Sequence, residues 1–370
     1  MRRLLTGALL LAVLTACGGS ADEAPQSAPA PSTSTTSSAP CTPAPLEDRA
    51  ATTLLVGLPG TTDPAAPLAT EVAGLGVGGV LLTDANVHTA DQARALVAGL
   101  RGASPRPLLV AVDDEGGRVS STSAVAPRGP SARRLGASGP DAARDAGRRL
   151  GTTLASLDVD VALAPVADLD GGPAGGVIGD RSFGTDPSAV AADATAFAAG
   201  LEEAGVAPTA KHFPGHAGAG DSHGGPVTVD RTVDALEAGD LVPFHALVDA
   251  DVPLVMLGHV AYTGLGDLPA SVNPDAYRLL RETGFTGVAV TDSLGMGAIN
   301  LRWPFPEAAV RAILAGADLA LATDGSQARA MRDELVSAVR VERLPEARLD
   351  EAVTRVLRLR GEDPRSMVCG

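Results

Sequence analysis

Short apolar runs rich in Val, Leu and Ala recur along most of the chain, and each closes in Gly, Asp, His or Thr. The eight runs lie at residues 53–60, 76–83, 107–115, 159–168, 206–215, 252–260, 287–295 and 317–325. Continuous apolar runs of this length are typical of strands that are buried on both faces, as in a parallel sheet. The pattern therefore predicts eight parallel strands.

Ala-rich stretches with helical spacing alternate with these runs. They include residues 89–102, 140–156, 186–204, 233–250 and 326–341. Candidate helix starts are Asp84, Asp186 and Asp230, and candidate helix ends are Gly102, Gly205 and Gly316. Eight strand–helix units in about 310 residues predict an α/β fold, a TIM-type (β/α)8 barrel that forms a single domain over residues 46–370. An open doubly wound sheet, or two such lobes, is the alternative.

The first 16 residues have the organisation of an export signal. Two arginines are followed by an apolar run, residues 4–13, that is too short to span a bilayer as a mature helix. The small residues before Cys17 resemble a bacterial lipobox, which would make Cys17 the lipidated first residue of the mature chain; ordinary cleavage near Ala16 is the alternative. Residues 17–45, rich in Ser, Thr, Ala and Pro, are expected to form a flexible tether. We therefore expect a protein anchored by lipid to the extracytoplasmic face of the cell membrane.

The composition argues against several classes of partner. The chain has 29 Lys and Arg against 44 Asp and Glu, a net charge of −15, which argues against binding to nucleic acid. Aromatic residues make up only 2%, so a platform for stacked bases is not expected. Three cysteines are too few for a disulfide-dense scaffold or a four-cysteine zinc site, and no H-E-x-x-H or H-x-H pair occurs. We expect neither a metal nor a cofactor.

Polar side chains cluster at the C-terminal ends of the predicted strands. They are Asp113 after the third strand, Arg181 after the fourth, Lys211, His212, His216, Asp221 and His223 at and after the fifth, His259 after the sixth and Asp292 after the seventh. The C-terminal ends of barrel strands carry the active site in TIM-barrel enzymes. A single Asp or His at such a place is more often structural, but several on one rim favour a site.

Two segments resemble the signature of a known enzyme family. The segments 211–216 (Lys-His-Phe-Pro-Gly-His) and 221–223 (Asp-Ser-His) resemble the signature of the glycoside hydrolase family 3 β-N-acetylhexosaminidases. Residues 113–119, 181–184, 269–271 and 290–296 match further blocks of that family in the same order. The resemblance covers about residues 48–360 and is to the short, single-barrel class. It implies a retaining exo-β-N-acetylglucosaminidase that acts on cell-wall (peptidoglycan) fragments through a covalent glycosyl-enzyme intermediate.

Catalytic roles follow from the resemblance. A retaining glycosidase needs a carboxylate nucleophile and a proton donor for the leaving oxygen. The resemblance implies that Asp292 is the nucleophile and that His223, on a mobile loop, is the general acid/base. Asp221 would orient His223, because an adjacent carboxylate fixes the tautomer of the ring and lets it give and later take a proton. A structural Asp at the barrel rim and a simple turn at 221–223 are the alternatives.

The resemblance also implies substrate contacts. The binding residues would be Asp113, Arg181, Lys211 and His212. The carboxylate would accept hydrogen bonds from sugar hydroxyls, and the three cationic or ring side chains would donate to hydroxyls or to the acetamido group. His216 and His259 are expected to support the site from behind rather than to contact the sugar.

The chain departs from the family pattern at one position. The family often has a second Arg three residues after the Arg of its strand-three block, and Ser121 stands at that place here. We expect that contact to be lost or replaced. Asp114 and Glu115 could be charges at a helix start, and we assign them no role.

Two cysteines remain when Cys17 is assigned to lipid. Disulfides persist in exported proteins, and a closed barrel brings its first and last units side by side. We therefore expect Cys41 and Cys369 to form a disulfide; two free thiols in frayed tails are the alternative.

Three other functions stay open at the level of sequence. A β-glucosidase of the same fold is one, although the Asp221–His223 pair argues against it. A phosphorylase is the second, because a neutral His acid/base carries no negative charge and lets phosphate approach. The third is an inactive sugar-binding lipoprotein. In each case the expected partners are a carbohydrate and, through the lipid anchor, a membrane.

Overall fold

The computed structural model describes residues 41–216 and 218–369. The export signal predicted for residues 1–16, the lipidation predicted at Cys17 and the tether as far as residue 40 lie outside the described residues.

Eight parallel strands form one sheet that closes into a barrel. They are β1 (Leu54–Gly57), β2 (Gly79–Leu82), β3 (Leu109–Val112), β4 (Val161–Ala162), β5 (Ala207–Phe213), β6 (Leu254–Leu257), β7 (Val288–Thr291) and β8 (Ala320–Ala322). Neighbours pair in the order β8-β1-β2-β3-β4-β5-β6-β7. The sheet closes where the Thr291 N–H donates to the Leu319 carbonyl at 3.0 Å. Each predicted run contains a strand, and the predicted (β/α)8 barrel is confirmed.

Helices follow or flank the strands on the outside. They are α1 (Leu46–Thr52), α2 (Pro67–Gly74), α3 (Ala90–Ala103), α4 (Ala132–Gly136), α5 (Pro140–Ala155), α6 (Pro187–Glu203), α7 (Val233–Glu237), α8 (Val242–Asp249), α9 (Pro274–Glu282), α10 (Gly297–Asn300), α11 (Phe305–Ala315), α12 (Ala328–Arg340) and α13 (Glu346–Leu359). Two short strand pairs lie among the loops: Asp114–Gly116 with Val119–Ser120, and Val227–Val229 with Val260–Tyr262.

The strands are largely apolar because both of their faces are buried, and β5, with Lys211 and His212 at its C-terminal end, departs most from this pattern. Side chains such as Leu81, Leu163 and Met256 form a cluster inside the barrel, and the alternate side chains of the same strands, such as Val80 and Val255, join a second cluster with the helices. A sheet covered on both faces needs continuous apolar strands, which is the pattern that the sequence displays.

The structure corrects several helix boundaries. The predicted helix 233–250 is two helices, because Pro243 lies in the first turn of α8, where a residue without an N–H group is tolerated. Asp186 caps α6 as predicted, with its carboxylate accepting from the Ala189 N–H. Asp84 instead begins a short 3₁₀ turn, and Thr89 caps α3.

Of the remaining predicted helix boundaries, two are confirmed and two are wrong. Thr232, not Asp230, caps α7. Gly205 and Gly316 follow α6 and α11 as predicted, whereas Gly102 lies within α3.

The structure tests only one part of the predicted Cys41–Cys369 disulfide. Cys41 and Cys369 are each disulfide-bonded, and their pairing with one another stays a prediction.

Within the part of the chain that the structure describes, no helix combines the length and the apolar character that crossing a bilayer requires.

A buried carboxylate connects several strands and helices at the N-terminal end of the barrel. Asp318, just before β8, is fully buried. It accepts hydrogen bonds from Arg281 at 2.7 Å, from Arg348 at 2.8 Å and from Arg355 at 3.1 Å, as well as from the Ala289 N–H at 2.9 Å. One carboxylate therefore links β8 to β7, α9 and α13.

Replacing this carboxylate should destabilise the barrel. Asp318→Ala leaves three guanidinium groups without their shared partner, and we expect a loss of about 3–5 kcal/mol in the free energy of unfolding, measured in urea. Asp333→Ala, which removes a surface carboxylate paired with Arg332, is the control and should cost no more than about 1 kcal/mol. Equal losses in the two variants would contradict a structural role for Asp318.

Candidate active site

A cavity of about 440 Å³ opens at the C-terminal ends of the barrel strands. Seven residues singled out from the sequence line it: Asp113, Arg181, Lys211, His212, Asp221, His223 and Asp292. Apolar residues of the barrel interior, among them Leu81, Leu163 and Met256, complete the lining. The structure thus brings the seven polar side chains together in one cavity.

Two carboxylates and two cations form a charged network on one wall. The Lys211 Nζ lies 2.6 Å from Asp113 Oδ1 and 2.6 Å from Glu115 Oε1. Arg181 binds Glu115 through two parallel hydrogen bonds, from Nε at 2.8 Å and from Nη2 at 2.7 Å. Asp113 faces the cavity, whereas the Glu115 side chain is only 5% exposed.

Sequence reasoning missed Glu115. It lies in the short strand Asp114–Gly116 and not at a helix start, which corrects the interpretation of Asp114 and Glu115 as helix-start charges. Side chains two residues apart in an extended strand share a face, so the spacing from Asp113 to Glu115 was the available signal. Asp114 points elsewhere, because its carboxylate accepts hydrogen bonds from Thr122 N–H and Oγ1 and from Ser120 Oγ.

The network stays ionised at neutral pH. Burial alone would raise the pKa of Glu115, but Lys211 and Arg181 outweigh it and hold that pKa at about 2. Burial likewise opposes the charge on Lys211, yet Asp113 and Glu115 raise its pKa above the ordinary value. Buried charges persist when each has a close partner of opposite sign.

An irregular register lets two consecutive residues of β5 reach the cavity. Successive side chains of a regular strand point to opposite faces. The register of β5 against β6 shifts between Lys211 and Phe213, and both Lys211 and His212 line the cavity. The irregular register therefore places two adjacent polar side chains on the same side.

His212 is held by a carboxylate that sequence reasoning did not assign. Asp168, fully buried, approaches His212 Nδ1 with Oδ2 at 2.7 Å and accepts from the His212 N–H with Oδ1 at 3.1 Å. Burial alone would raise the pKa of Asp168, but His212 outweighs it, and the pKa lies below its ordinary value. The available signal was a polar residue at the end of an apolar run.

Asp292 follows β7 directly and faces the cavity. The Ser293 N–H donates to Asp292 Oδ1 at 2.7 Å. Burial alone would raise the pKa of Asp292, but His259, His212 and the Ser293 N–H outweigh it and lower the pKa. The side chain is therefore an ionised carboxylate at neutral pH.

His259 lies behind Asp292 and does not line the main cavity. Its Nδ1 is 2.7 Å from Ser271 Oγ, and its Nε2 is 2.8 Å from the Ser293 carbonyl oxygen. His216 is also buried and packs its ring against His212, with the ring centroids 6.3 Å apart. Both rings line a side pocket of about 20 Å³ that His223 and Asp292 also border.

The Asp221–His223 pair sits on the rim. His223 Nδ1 lies 2.6 Å from Asp221 Oδ1, and the same oxygen accepts from the His223 N–H at 2.9 Å. These contacts lower the pKa of Asp221. The His223 side chain is 67% exposed, so its Nε2 is available to a ligand.

The loop that carries His223 is docked on the segment that follows Asp292. The Gly297 N–H donates to the His223 carbonyl at 2.9 Å, and the Ala298 N–H donates to the Ser222 carbonyl at 3.1 Å. A Cβ at Gly297 would lie 2.6 Å from that His223 oxygen, so this approach requires glycine.

Ser121 lies outside the cavity, whereas Arg118 borders it. The Ser121 hydroxyl donates to the Asp113 carbonyl at 2.6 Å, so Ser121 takes no part in the cavity. Arg118 does line it, and donates to the Asp180 carboxylate at 2.9 Å and to the Ile178 carbonyl at 2.8 Å. Arg118 thereby holds the loop between β4 and α6 against the cavity.

Metal ligands are not assembled in the described ranges. No group of three or more His, Cys, Asp or Glu side chains within residues 41–216 and 218–369 is arranged to hold a metal ion.

Comparisons with known proteins agree on one family. Residues 49–359 match the N-terminal domain of glycosyl hydrolase family 3. The chain is 41% identical over 329 residues to the β-hexosaminidase LpqI of Mycobacterium tuberculosis, an alignment that covers 86% of this chain and 83% of that protein.

Solved structures share the fold. A family 3 glycosyl hydrolase of Mycobacterium smegmatis superimposes with a TM-score of 0.79 at 39% identity, over 85% of this chain and 97% of its own. A family 3 β-N-acetylglucosaminidase from Paenibacillus sp. gives a TM-score of 0.81 at 33% identity, over 88% of this chain and 64% of its own.

The Asp168–His212 pair should contribute stability that depends on pH. Because the folded pKa of Asp168 is lowered, its contribution is complete above the ordinary pKa of 3.8 and is lost as the pH falls through the lowered value. Asp168→Asn should therefore cost about 3 kcal/mol at pH 7, and less at pH 3, in urea unfolding.

A second buried carboxylate supplies the control. Asp193 on α6 has a pKa raised by burial, so Asp193→Asn should not lower stability at pH 7. A difference between the wild type and Asp168→Asn that stays constant from pH 7 to pH 3 would contradict the pairing.

Proposed function

The chain belongs to glycosyl hydrolase family 3, and we propose that this β-hexosaminidase is a retaining exo-β-N-acetylglucosaminidase. It would release terminal β-linked GlcNAc from cell-wall (peptidoglycan) fragments. The observation that carries the proposal is one cavity that holds both an ionised Asp292 and an Asp221-supported His223. The size of the cavity, near the lower end of the range of about 300–1,000 Å³ for small-ligand sites, favours a single terminal sugar.

The first step forms a covalent intermediate. The Asp292 carboxylate attacks the anomeric carbon while the glycosidic bond breaks, and His223 Nε2 gives its proton to the leaving oxygen. Asp221 contacts the Nδ1 atom of His223, so Nε2 is the ring nitrogen available for this transfer. The lowered pKa of Asp292 supports the role, since only the ionised carboxylate is a nucleophile.

The second step releases the sugar. Water attacks the anomeric carbon, His223 takes the proton of that water, and the bond to Asp292 breaks. Asp113 accepts hydrogen bonds from sugar hydroxyls during both steps. Lys211, Arg181 and His212 donate to hydroxyls or to the acetamido carbonyl.

The charges favour water over phosphate as the acceptor. Each cationic Arg or Lys among the described residues of the cavity lining already contacts a carboxylate: Arg118 with Asp180, Arg181 with Glu115, and Lys211 with Asp113. A phosphorylase needs unpaired cations to hold a dianion. Hydrolysis is therefore the function that this lining supports.

The place of action is proposed from the sequence. The signal over 1–16, a lipidated Cys17 and the tether over 17–45 would hold the barrel at the extracytoplasmic face of the membrane. Cell-wall glycan lies within reach there.

Aryl glycosides test the function. The purified protein should release nitrophenol from the β-glycoside of GlcNAc at least about tenfold faster than from that of glucose. Free GlcNAc, formed first as the β-anomer, should be the product with or without phosphate. A faster reaction on the glucoside, formation of GlcNAc-1-phosphate or an α-anomer as first product would each overturn part of the proposal.

Asp292 is expected to be the nucleophile. Asp292→Asn should lower kcat by about 10³-fold or more while the protein keeps its fold, and a 2-deoxy-2-fluoro glycoside should label the peptide that contains Asp292. Asp324→Asn, on the rim after β8 but outside the cavity lining, is the control and should keep its activity. Label on another acid would reassign the role.

His223 is expected to be the acid/base. His223→Ala should slow a disaccharide far more than a nitrophenyl glycoside, because an activated leaving group needs little protonation. His245→Ala is the control, since His245 pairs with Glu237 at the surface at 2.8 Å. Equal losses on both substrates would indicate that His223 is structural.

A further inference from the structure

Glu115 acts behind the cavity and not in it. Its side chain is 5% exposed and does not border the cavity that Asp292 lines. It nevertheless contacts Lys211 and Arg181, and both of these border that cavity. Any effect of Glu115 on a ligand must therefore pass through these two cations.

Glu115 already occupies an edge of the Arg181 guanidinium that could otherwise bind an acidic ligand. A guanidinium binds a carboxylate best through two parallel N–H groups. In Arg181 the Nε and Nη2 groups already donate to the two oxygens of Glu115, at 2.8 and 2.7 Å. A carboxylate on a ligand would have to displace Glu115 to gain the same contact.

Glu115 also changes the charge that a ligand meets. With Glu115 counted beside the lining, three cations (Arg118, Lys211 and Arg181) stand against four carboxylates (Asp113, Asp221, Asp292 and Glu115). Without it, the cations and carboxylates would balance, and two N–H donors of Arg181 would become available. A negatively charged sugar is thus disfavoured by charge and because Arg181 already donates to Glu115 and, through Nη1, to the Val177 carbonyl at 3.2 Å.

We propose that Glu115 is a positioning and specificity-determining residue that restricts the site to neutral terminal sugars and excludes acidic ones, by occupying Arg181 and fixing Lys211. The inference rests on the proposed function and narrows its substrate class. The neutral sugar would be an N-acetylhexosamine, and the excluded class is the same sugar carrying a carboxylate.

A competition experiment tests the proposal in the full-length protein. The inhibition constant of GlcNAc is compared with those of N-acetylmuramic acid and N-acetylglucosaminuronic acid, which carry a carboxylate on O3 and at C6, in the wild type and in Glu115→Gln. We expect the variant to lose about 10- to 100-fold in kcat/KM, because Lys211 and Arg181 are no longer fixed. Its preference for neutral over acidic inhibitor should fall at least about tenfold for one of the two acids.

The pH profile gives an independent readout. Lys211 faces Asp113 and Glu115, which favour its charged form, Arg181, which opposes it, and Asp292 across the cavity. Removing Glu115 lowers the pKa of Lys211, so Lys211 loses its proton at a lower pH. The inhibition constant of GlcNAc, whose binding does not need the His223 proton, should therefore begin to rise at a lower pH in Glu115→Gln than in the wild type.

Asp114→Asn is the matched control. Asp114 is a buried carboxylate in the same short strand, but it contacts Thr122 and Ser120 and neither cation. This variant should lower the unfolding temperature without changing the inhibitor ratio or the pH dependence of GlcNAc binding. Should Glu115→Gln not fold, Glu115→Asp, whose shorter carboxylate cannot span both cations, should shift the ratio in the same direction.

The role of Glu115 and the proposed function of the protein can be contradicted independently of each other. An unchanged inhibitor ratio and pH profile in Glu115→Gln, with losses in activity and stability that match those of Asp114→Asn, would overturn the role of Glu115. A failure of the proposed function would appear in the wild type, as a lack of hydrolysis of the aryl GlcNAc. Binding of the same three sugars, measured by calorimetry, would then still test Glu115.

Discussion

The site depends on keeping a buried ammonium group charged. The Lys211 side chain is 2% exposed, and an isolated charge at such a position would lose its proton. Asp113 and Glu115, each 2.6 Å away, make the charged form the stable one. Because Glu115 also binds Arg181, the same carboxylate fixes two donors that line the cavity. A neutral, polar ligand such as a sugar then meets donors already in place.

Two carboxylate–histidine pairs in one cavity have different surroundings. Asp168 and His212 are buried, so their hydrogen bonds hold the ring rigidly and at a fixed tautomer. Asp221 and His223 are exposed on a loop, where the ring is accessible to a ligand and to water. The same pair of chemical groups is therefore held rigidly in one place and left accessible in the other, because burial differs.

The barrel supplies the rigidity that these contacts need. Its strands end at one rim, where the segments at or after β3, β4, β5, β7 and β8 contribute polar side chains to the cavity while the apolar interior lies beneath. At the opposite end, Asp318 joins four elements through buried hydrogen bonds. The loop with Asp221 is in turn docked on the segment that follows β7, through the hydrogen bonds of Gly297 and Ala298.

The sequence by itself determined the barrel and the outline of its site. Strands buried on both faces are largely apolar, so the eight runs were visible, and the polar residues that closed them identified the rim that carries the cavity. Only the tertiary structure decided which carboxylate serves which cation or ring. Glu115 and Lys211 are far apart in the chain, as are Asp168 and His212, and no local pattern specifies such pairings. Ionisation also depends on burial, which exists only once the chain is folded.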